Sequence, residues 1–122
     1  MQPINLNDAL ERFTEHWSPK TVACINDYEA RIAKVQGEFV WHQHADTDEF
    51  FLTLRGELTI ELEGRESVVL RPGDVFVVPK GVRHRPRAAS EAAILLLEPS
   101  SVVNTGDAGG ELTAVVEDLS LL

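Results

Sequence analysis

From residue 21 onward, apolar residues come in short runs, each cut off by glycine, proline or aspartate. The clearest run is ELTIELE, residues 57–63, where Leu58, Ile60 and Leu62 alternate with Thr59, Glu61 and Glu63. A strand turns successive side chains to opposite faces, so this alternation predicts a strand with one buried face. TVACIN, YEARIAKV, EFVWHQH, EFFLTLR and ESVVL are β-rich runs of similar length, while VFVVP and AAILLLE are apolar strands throughout. Gly37, Gly56, Gly64 and an RPGD turn carrying Pro72 and Gly73 punctuate them. Seven or more short strands with tight turns predict an all-β sandwich or barrel. The opening stretch breaks the pattern. Leu6, Ala9, Leu10 and Phe13 fall at helical spacing, which predicts a short helix capped by Asn5 or Asn7 and closed by Ser18, Pro19 and Lys20. Near the other end TGDAGGE reads as a loop, and LTAVVEDLSLL suits a strand or a helix equally.

A chain of 122 residues suits one domain with one core. The expected division is a helical extension over residues 1–20, a barrel over 21–100 and a loop and tail over 101–122. A net charge of −9 excludes the basic footprint that nucleic acid demands, and disfavours an anionic membrane surface. No apolar run approaches the roughly 20 residues of a spanning helix. MQPINLNDALERF has neither the basic start nor the apolar stretch of a signal peptide. A cytoplasmic protein is the resulting expectation. Cys24 is the sole cysteine, so there is no disulfide framework or thiolate cluster, and it reads as a small buried apolar residue.

WHQHADTDE, residues 41–49, holds two of the four histidines. In a strand, His42 and His44 leave the same face. Asp46, Thr47 and Asp48 read as a turn that can return Glu49 beside them. His84 follows the VFVVP strand and PKGVR, and antiparallel packing can bring it to the same place. Three imidazoles and a carboxylate suit one divalent transition metal (Fe, Mn, Ni, Co or Zn) and leave two octahedral positions free. Spacing alone leaves the simpler alternative standing: a His-x-His pair in a strand is more often an ordinary polar pair.

The spacing on either side resembles the cupin superfamily. Gly37, EFVW, His42, Gln43, His44, ADTD, Glu49, FFLTLR and Gly56 follow the first cupin motif. Gly73, DVFVV, Pro79, Lys80, Gly81, VR, His84, RPR and Ala88 follow the second. The spacer after Gly37 is one residue short, and Ala88 stands where the family has asparagine, which is not a ligand position. The likeness is to small single-domain bacterial cupins with a GEF-x-WH-x-H opening and a downstream VNTGD, here Val103–Asp107. Such proteins often carry the label "mannose-6-phosphate isomerase-like", which rests on fold likeness. The resemblance implies a double-stranded β-helix, or jelly-roll barrel, with one metal held by His42, His44, Glu49 and His84.

Register then places Val40, Phe51 and Thr53 beside those ligands, as a mostly apolar pocket for a small organic molecule. Phe50, Leu52 and Leu54 face the opposite way and are also apolar, so the N-terminal segment or a second copy should cover them. A homodimer is expected. Arg83, Arg85 and Arg87 alternate with His84 and should pair with acids on the outer face. Trp41 should join that outer layer, with Asp46 and Asp48 as solvated turn residues and His16 on the surface. The favoured function is a metal-dependent, oxygenase-type enzyme. The alternatives are a non-catalytic metal-dependent binding or sensing module and a sugar-phosphate isomerase or epimerase. No spare histidine shares the pocket register, which counts against proton-transfer chemistry.

Overall fold

The computed structural model describes residues 2–121. Eight strands follow one short helix: α1 (Leu6–Leu10), β1 (Lys20–Ile25), β2 (Tyr28–Glu38), β3 (Glu49–Arg55), β4 (Leu58–Leu62), β5 (Val68–Leu70), β6 (Val75–Val78), β7 (His84–Pro99) and β8 (Glu117–Asp118). The order across the main path is β5-β4-β7-β2-β1-β8, with β3 bridging β6 and β7. This is the expected all-β jelly roll. The AAILLLE run is the second half of a longer strand than its sequence suggested. β7 pairs with β4 over its first residues, with β3 over its last, and with β2 along most of its other edge. One long strand thereby joins β2, β3 and β4 in a single sheet around one interior.

That interior is lined by alternate residues. Leu58, Ile60 and Leu62 of β4 are buried as their alternation predicts, facing Phe51, Ala92, Ile94 and Leu96. A second apolar layer lies outside β1, β2 and β7, where α1 seats Ala9, Leu10 and Phe13 against Val22, Ile32 and Ala93. Asn5 caps α1, its side chain accepting the Asp8 N–H at 3.1 Å. The helix ends at Leu10 rather than running to the Ser18–Lys20 break. Beyond it the chain extends, and the Trp17 N–H joins the Lys34 carbonyl beside β2.

Two further expectations change. EFVWHQH is not a continuous strand: β2 stops at Glu38, and only an isolated bridge, His42 to His84, follows. The Phe39 N–H still reaches the Pro86 carbonyl, but Pro86 has no N–H to return and the ladder breaks there. Cys24 is exposed, because the end of the β1–β2 hairpin runs past the core. VFVVP supplies its expected strand, β6, which among the described residues pairs with β3 alone, and Val75 and Val77 stand exposed at the edge. The tail resolves into the two residues of β8, parallel to β1, and a single 3-10 turn at Leu119–Leu121. No helix among the described residues is long and apolar enough to cross a membrane.

Phe50 and Leu52 point outward as expected. Phe50 sits between Val77 and Leu97, and Leu52 between Val75 and Leu95, so these six share one outer face. Only Leu54 and Leu95 reach the layer beneath α1.

Candidate metal centre

Segments far apart in sequence meet edge to edge at His42 and His84. The His42 N–H donates to the His84 carbonyl at 3.0 Å, and the His84 N–H to the His42 carbonyl at 2.8 Å. A reciprocal pair of this kind sets both side chains on one face, and the ring centroids are 4.2 Å apart. The His44 carbonyl accepts the Gly81 N–H, tying the second histidine to the turn that precedes His84. Glu49 opens β3 opposite Val78, and Asp48 takes the Lys80 N–H, so the intervening turn returns the carboxylate to the histidines.

All four side chains are buried, and one ligand atom from each lies within 4.8 Å of the others. His42 Nδ1 lies 2.9 Å from the Val40 carbonyl and His84 Nδ1 3.0 Å from the Val82 carbonyl. A carbonyl only accepts, so each Nδ1 carries the hydrogen and each Nε2 presents its lone pair. His84 Nε2 then faces Glu49 Oε1 at 3.0 Å. Two acceptors this close repel unless a cation lies between them. His44 Nε2 is 3.3 Å from Glu49 Oε2 without the alignment of a hydrogen bond, and has no other partner among the described residues. A proton relieves one such contact, whereas a metal ion relieves all of them. Atoms bound to one ion at about 2.1 Å are at most about 4.2 Å apart, so the cluster needs only a small contraction to close on one. The donors fit the group.

Electrostatics favour the same state. Burial and the neighbouring His84 charge hold His42 down to about 4, so it stays neutral and ligand-ready at neutral pH. Burial works to raise Glu49, but in the metal-free protein a proton held between it and the flanking His44 and His84 more than offsets this and holds the carboxyl well below its usual range.

Beside the cluster lies a cavity of about 40 Å³. Phe51 is on its wall, as register placed it. Val40 is not: the break at Pro86 turns the buried Phe39 inward in its place. Thr53 is fully buried but sits off the cavity wall, and its hydroxyl lacks a hydrogen-bond partner among the described residues. Among the wall residues that escaped the sequence reading are Trp17, Glu98 and Asn104. Glu98 was within reach of it, because it shares inward parity with the buried Ile94 and Leu96 at the end of an apolar run. Its Oε1 accepts from Arg31 at 3.2 Å, and its Oε2 is unpartnered among the described residues. Burial and the adjacent Glu49 charge raise Glu98 to about 9, against the pull of Arg31.

The VNTGD element packs behind the ligands. The Asp107 carboxylate accepts the Gln43 N–H at 2.9 Å, and Asn104 hydrogen-bonds the Trp17 and Leu112 carbonyls and the Ala114 N–H. A Cβ on Gly106 would fall 2.3 Å from the Gln43 carbonyl oxygen and 3.1 Å from the His42 ring. The outer face follows expectation: Arg83 pairs with Glu63, Arg85 with Glu61 and Glu38, and Arg87 with Glu61. Arg85 also lies over Trp41. Asp46 and Asp48 are exposed, and His16 pairs with Glu91 at the surface.

The Cupin domain family matches residues 29–99, more than half the chain and both halves of the metal cluster. The chain belongs to the cupin family. A cupin-2 domain protein from Shewanella frigidimarina superposes with a TM-score of 0.77 at 47% identity, over 79% of this chain and 93% of that one. The uncharacterized protein YdbB of Bacillus subtilis is 38% identical over 78 residues, 64% of this chain and 69% of the relative. The 3-hydroxyanthranilate 3,4-dioxygenase of Ruegeria pomeroyi is 40% identical over 65 residues, half of this cupin but only 36% of the dioxygenase. Together with the buried cluster, these likenesses mark a metal-binding cupin.

Two outcomes test this account. Gly106→Ala should lower stability by at least about 2 kcal/mol in urea unfolding and loosen metal retention, through strain plus overlap. Gly109→Ala, also at positive φ but with open space around its Cβ, should cost only about 1 kcal/mol. The second outcome concerns pH. Between the ordinary carboxylate range and about 9, folded metal-free protein keeps a proton on Glu98 that the unfolded chain releases. That stability is complete at acid pH and is lost as pH rises. The unfolding free energy of metal-free protein, from urea titrations at pH 7 to 9, should fall by up to about 1.4 kcal/mol per unit, and Glu98→Gln should flatten the slope.

Proposed function

We propose that this cupin is a metal-dependent enzyme of the oxygenase type, acting on a small organic molecule held in the cavity beside the cluster. The observation that carries the reading is that His42 and Glu49 belong both to the four-ligand cluster and to the cavity wall. A molecule in the cavity therefore lies next to the site where His42, His44, Glu49 and His84 would hold one Fe, Mn, Ni, Co or Zn ion. Bound there, with two positions left open, such an ion supplies dioxygen activation if redox-active and Lewis-acid polarisation if not. The likeness to the R. pomeroyi dioxygenase supports the first.

The substrate need not be that relative's. 3-Hydroxyanthranilate carries a carboxylate, and the residues on this cavity wall include no arginine or lysine to receive one. The same composition weighs against a sugar-phosphate isomerase or epimerase, because apart from the metal itself a phosphate would meet two carboxyl groups and no cationic side chain. Proton transfer has a candidate after all in Glu98, which is the right kind of group on the right wall.

His44→Ala and Glu49→Ala should each lower bound metal below about a tenth of the wild-type content by elemental analysis, while circular dichroism stays that of a folded β protein. Undiminished metal in both variants would remove the assignment. Iron-loaded protein should consume oxygen with a ring substrate. Redox-silent zinc, with tight ligand binding and no turnover, would instead indicate the binding module.

We also propose a homodimer through the outer face of Phe50, Leu52, Val75, Val77 and Leu97, where an uncovered apolar surface is costly. Val77→Asp should convert a dimer to a monomer in sedimentation analysis, and a wild-type monomer at micromolar concentration would remove this part of the reading.

A further inference from the structure

The cavity beside the cluster is closed on one side by a residue the barrel itself does not contribute. Trp17 lies between α1 and β1, and its backbone is in the left-handed region at φ 59°. Bulky residues avoid that region, and such strain persists only where surroundings over-determine it, typically at ligand clamps. Here the surroundings do so. The Trp17 N–H joins the Lys34 carbonyl, its carbonyl accepts from Asn104 Nδ2, and its indole N–H donates to the Gln36 carbonyl at 2.9 Å. The indole stacks on Phe39 with centroids 4.7 Å apart. One edge of Trp17 thus reaches the exposed Gln36 while its ring walls the cavity.

Closed in this way, the cavity holds about 40 Å³. That is room for ordered water but not for a six-membered ring, which needs a cavity on the order of 150 Å³. A ring ligand must move the indole, and it then finds a flat seat against Phe39 that already accepts an aromatic plane. The wall also sets the ligand's charge. No arginine or lysine lies on the wall, and every nitrogen of Arg31, behind Glu98, is engaged with Glu29, Glu98 and the Ser100 and Val102 carbonyls. What the wall does offer is Glu98 Oε2, buried and without a partner among the described residues.

We infer that Trp17 is the movable wall of the cavity and its specificity-determining residue, and that the ligand it admits is an uncharged planar ring bearing a hydroxyl directed at Glu98. This names a substrate class for the proposed enzyme and so rests on that reading.

Phenol and benzoate, a neutral ring with a hydroxyl and an anionic ring, are the probes. Zinc-loaded protein at neutral pH is titrated with each, with the two tryptophan indole N–H resonances followed by NMR, affinity measured by calorimetry and zinc measured on the same sample. Phenol should shift the Trp17 resonance and leave Trp41 in place, binding at least about tenfold more tightly than benzoate. Trp17→Ala should bind phenol about tenfold more tightly than wild type, and Glu98→Leu about tenfold more weakly, each near the equilibrium equivalent of one hydrogen bond. If Trp17→Ala does not fold, Trp17→Phe keeps a ring but loses the bond to Gln36 and should move affinity the same way. Benzoate binding as tightly as phenol, unchanged phenol affinity in the Trp17 variants, shifts confined to Trp41, or no phenol binding to any of these proteins would overturn the inference. A sample without zinc would defeat the metal reading, while the same phenol titration would still decide the cavity.

Discussion

Two short hydrogen bonds, exchanged between the main chains of His42 and His84, hold the site together. They join a segment that has just left β2 to the first residue of β7, and so place ligands from both halves of the barrel on one face. Glu49 and His44 are then brought in by neighbouring contacts, Asp48 with Lys80 and His44 with Gly81. The bridge survives beside Pro86, which breaks the ladder on one side of it and releases the Phe39–His44 segment from regular pairing. That irregularity turns Phe39 toward the cavity and leaves the Val40 carbonyl free to orient the His42 ring.

The barrel supplies the ligands, while segments on either side of it close the space around them. Trp17 comes from the stretch before β1, and Asn104, Gly106 and Asp107 from the stretch after β7. Asn104 bonds the Trp17 carbonyl directly, so these outer segments are fastened to each other as well as to the barrel. Lys20 makes a similar connection, pairing with Glu15 on one side and Glu117 on the other. The cavity therefore inherits its size and its polarity largely from residues outside the metal motifs.

Much of this was legible in the chain. Alternation in ELTIELE, the glycine punctuation and the short apolar runs carry the all-β class, because a half-buried strand must alternate. The ligand set could be read because His-x-His and a following glutamate have meaning at fixed spacing and because the second block repeats the glycine framing. The outer-face arginines could be read from their parity with His84. Cys24 was misread, and VFVVP, though a strand as read, is exposed along its edge, for one reason. Apolar character predicts burial only where another element covers the strand, and neither the hairpin end nor the β6 edge is covered.

By itself the sequence determined the periodicity of the strands, the identity of the four candidate ligands and the net negative charge. Those properties are local, or depend on composition alone. Tertiary structure decided that Trp17, Glu98 and Asn104 would face the same space as His42 and Glu49, and that Val40 would not. Residues 17, 42, 98 and 104 are brought together only by the pairing of β2 with β7 and the folding back of both outer segments. No spacing rule spans such distances, because chain closure there is set by packing and not by the repeat of a helix or strand.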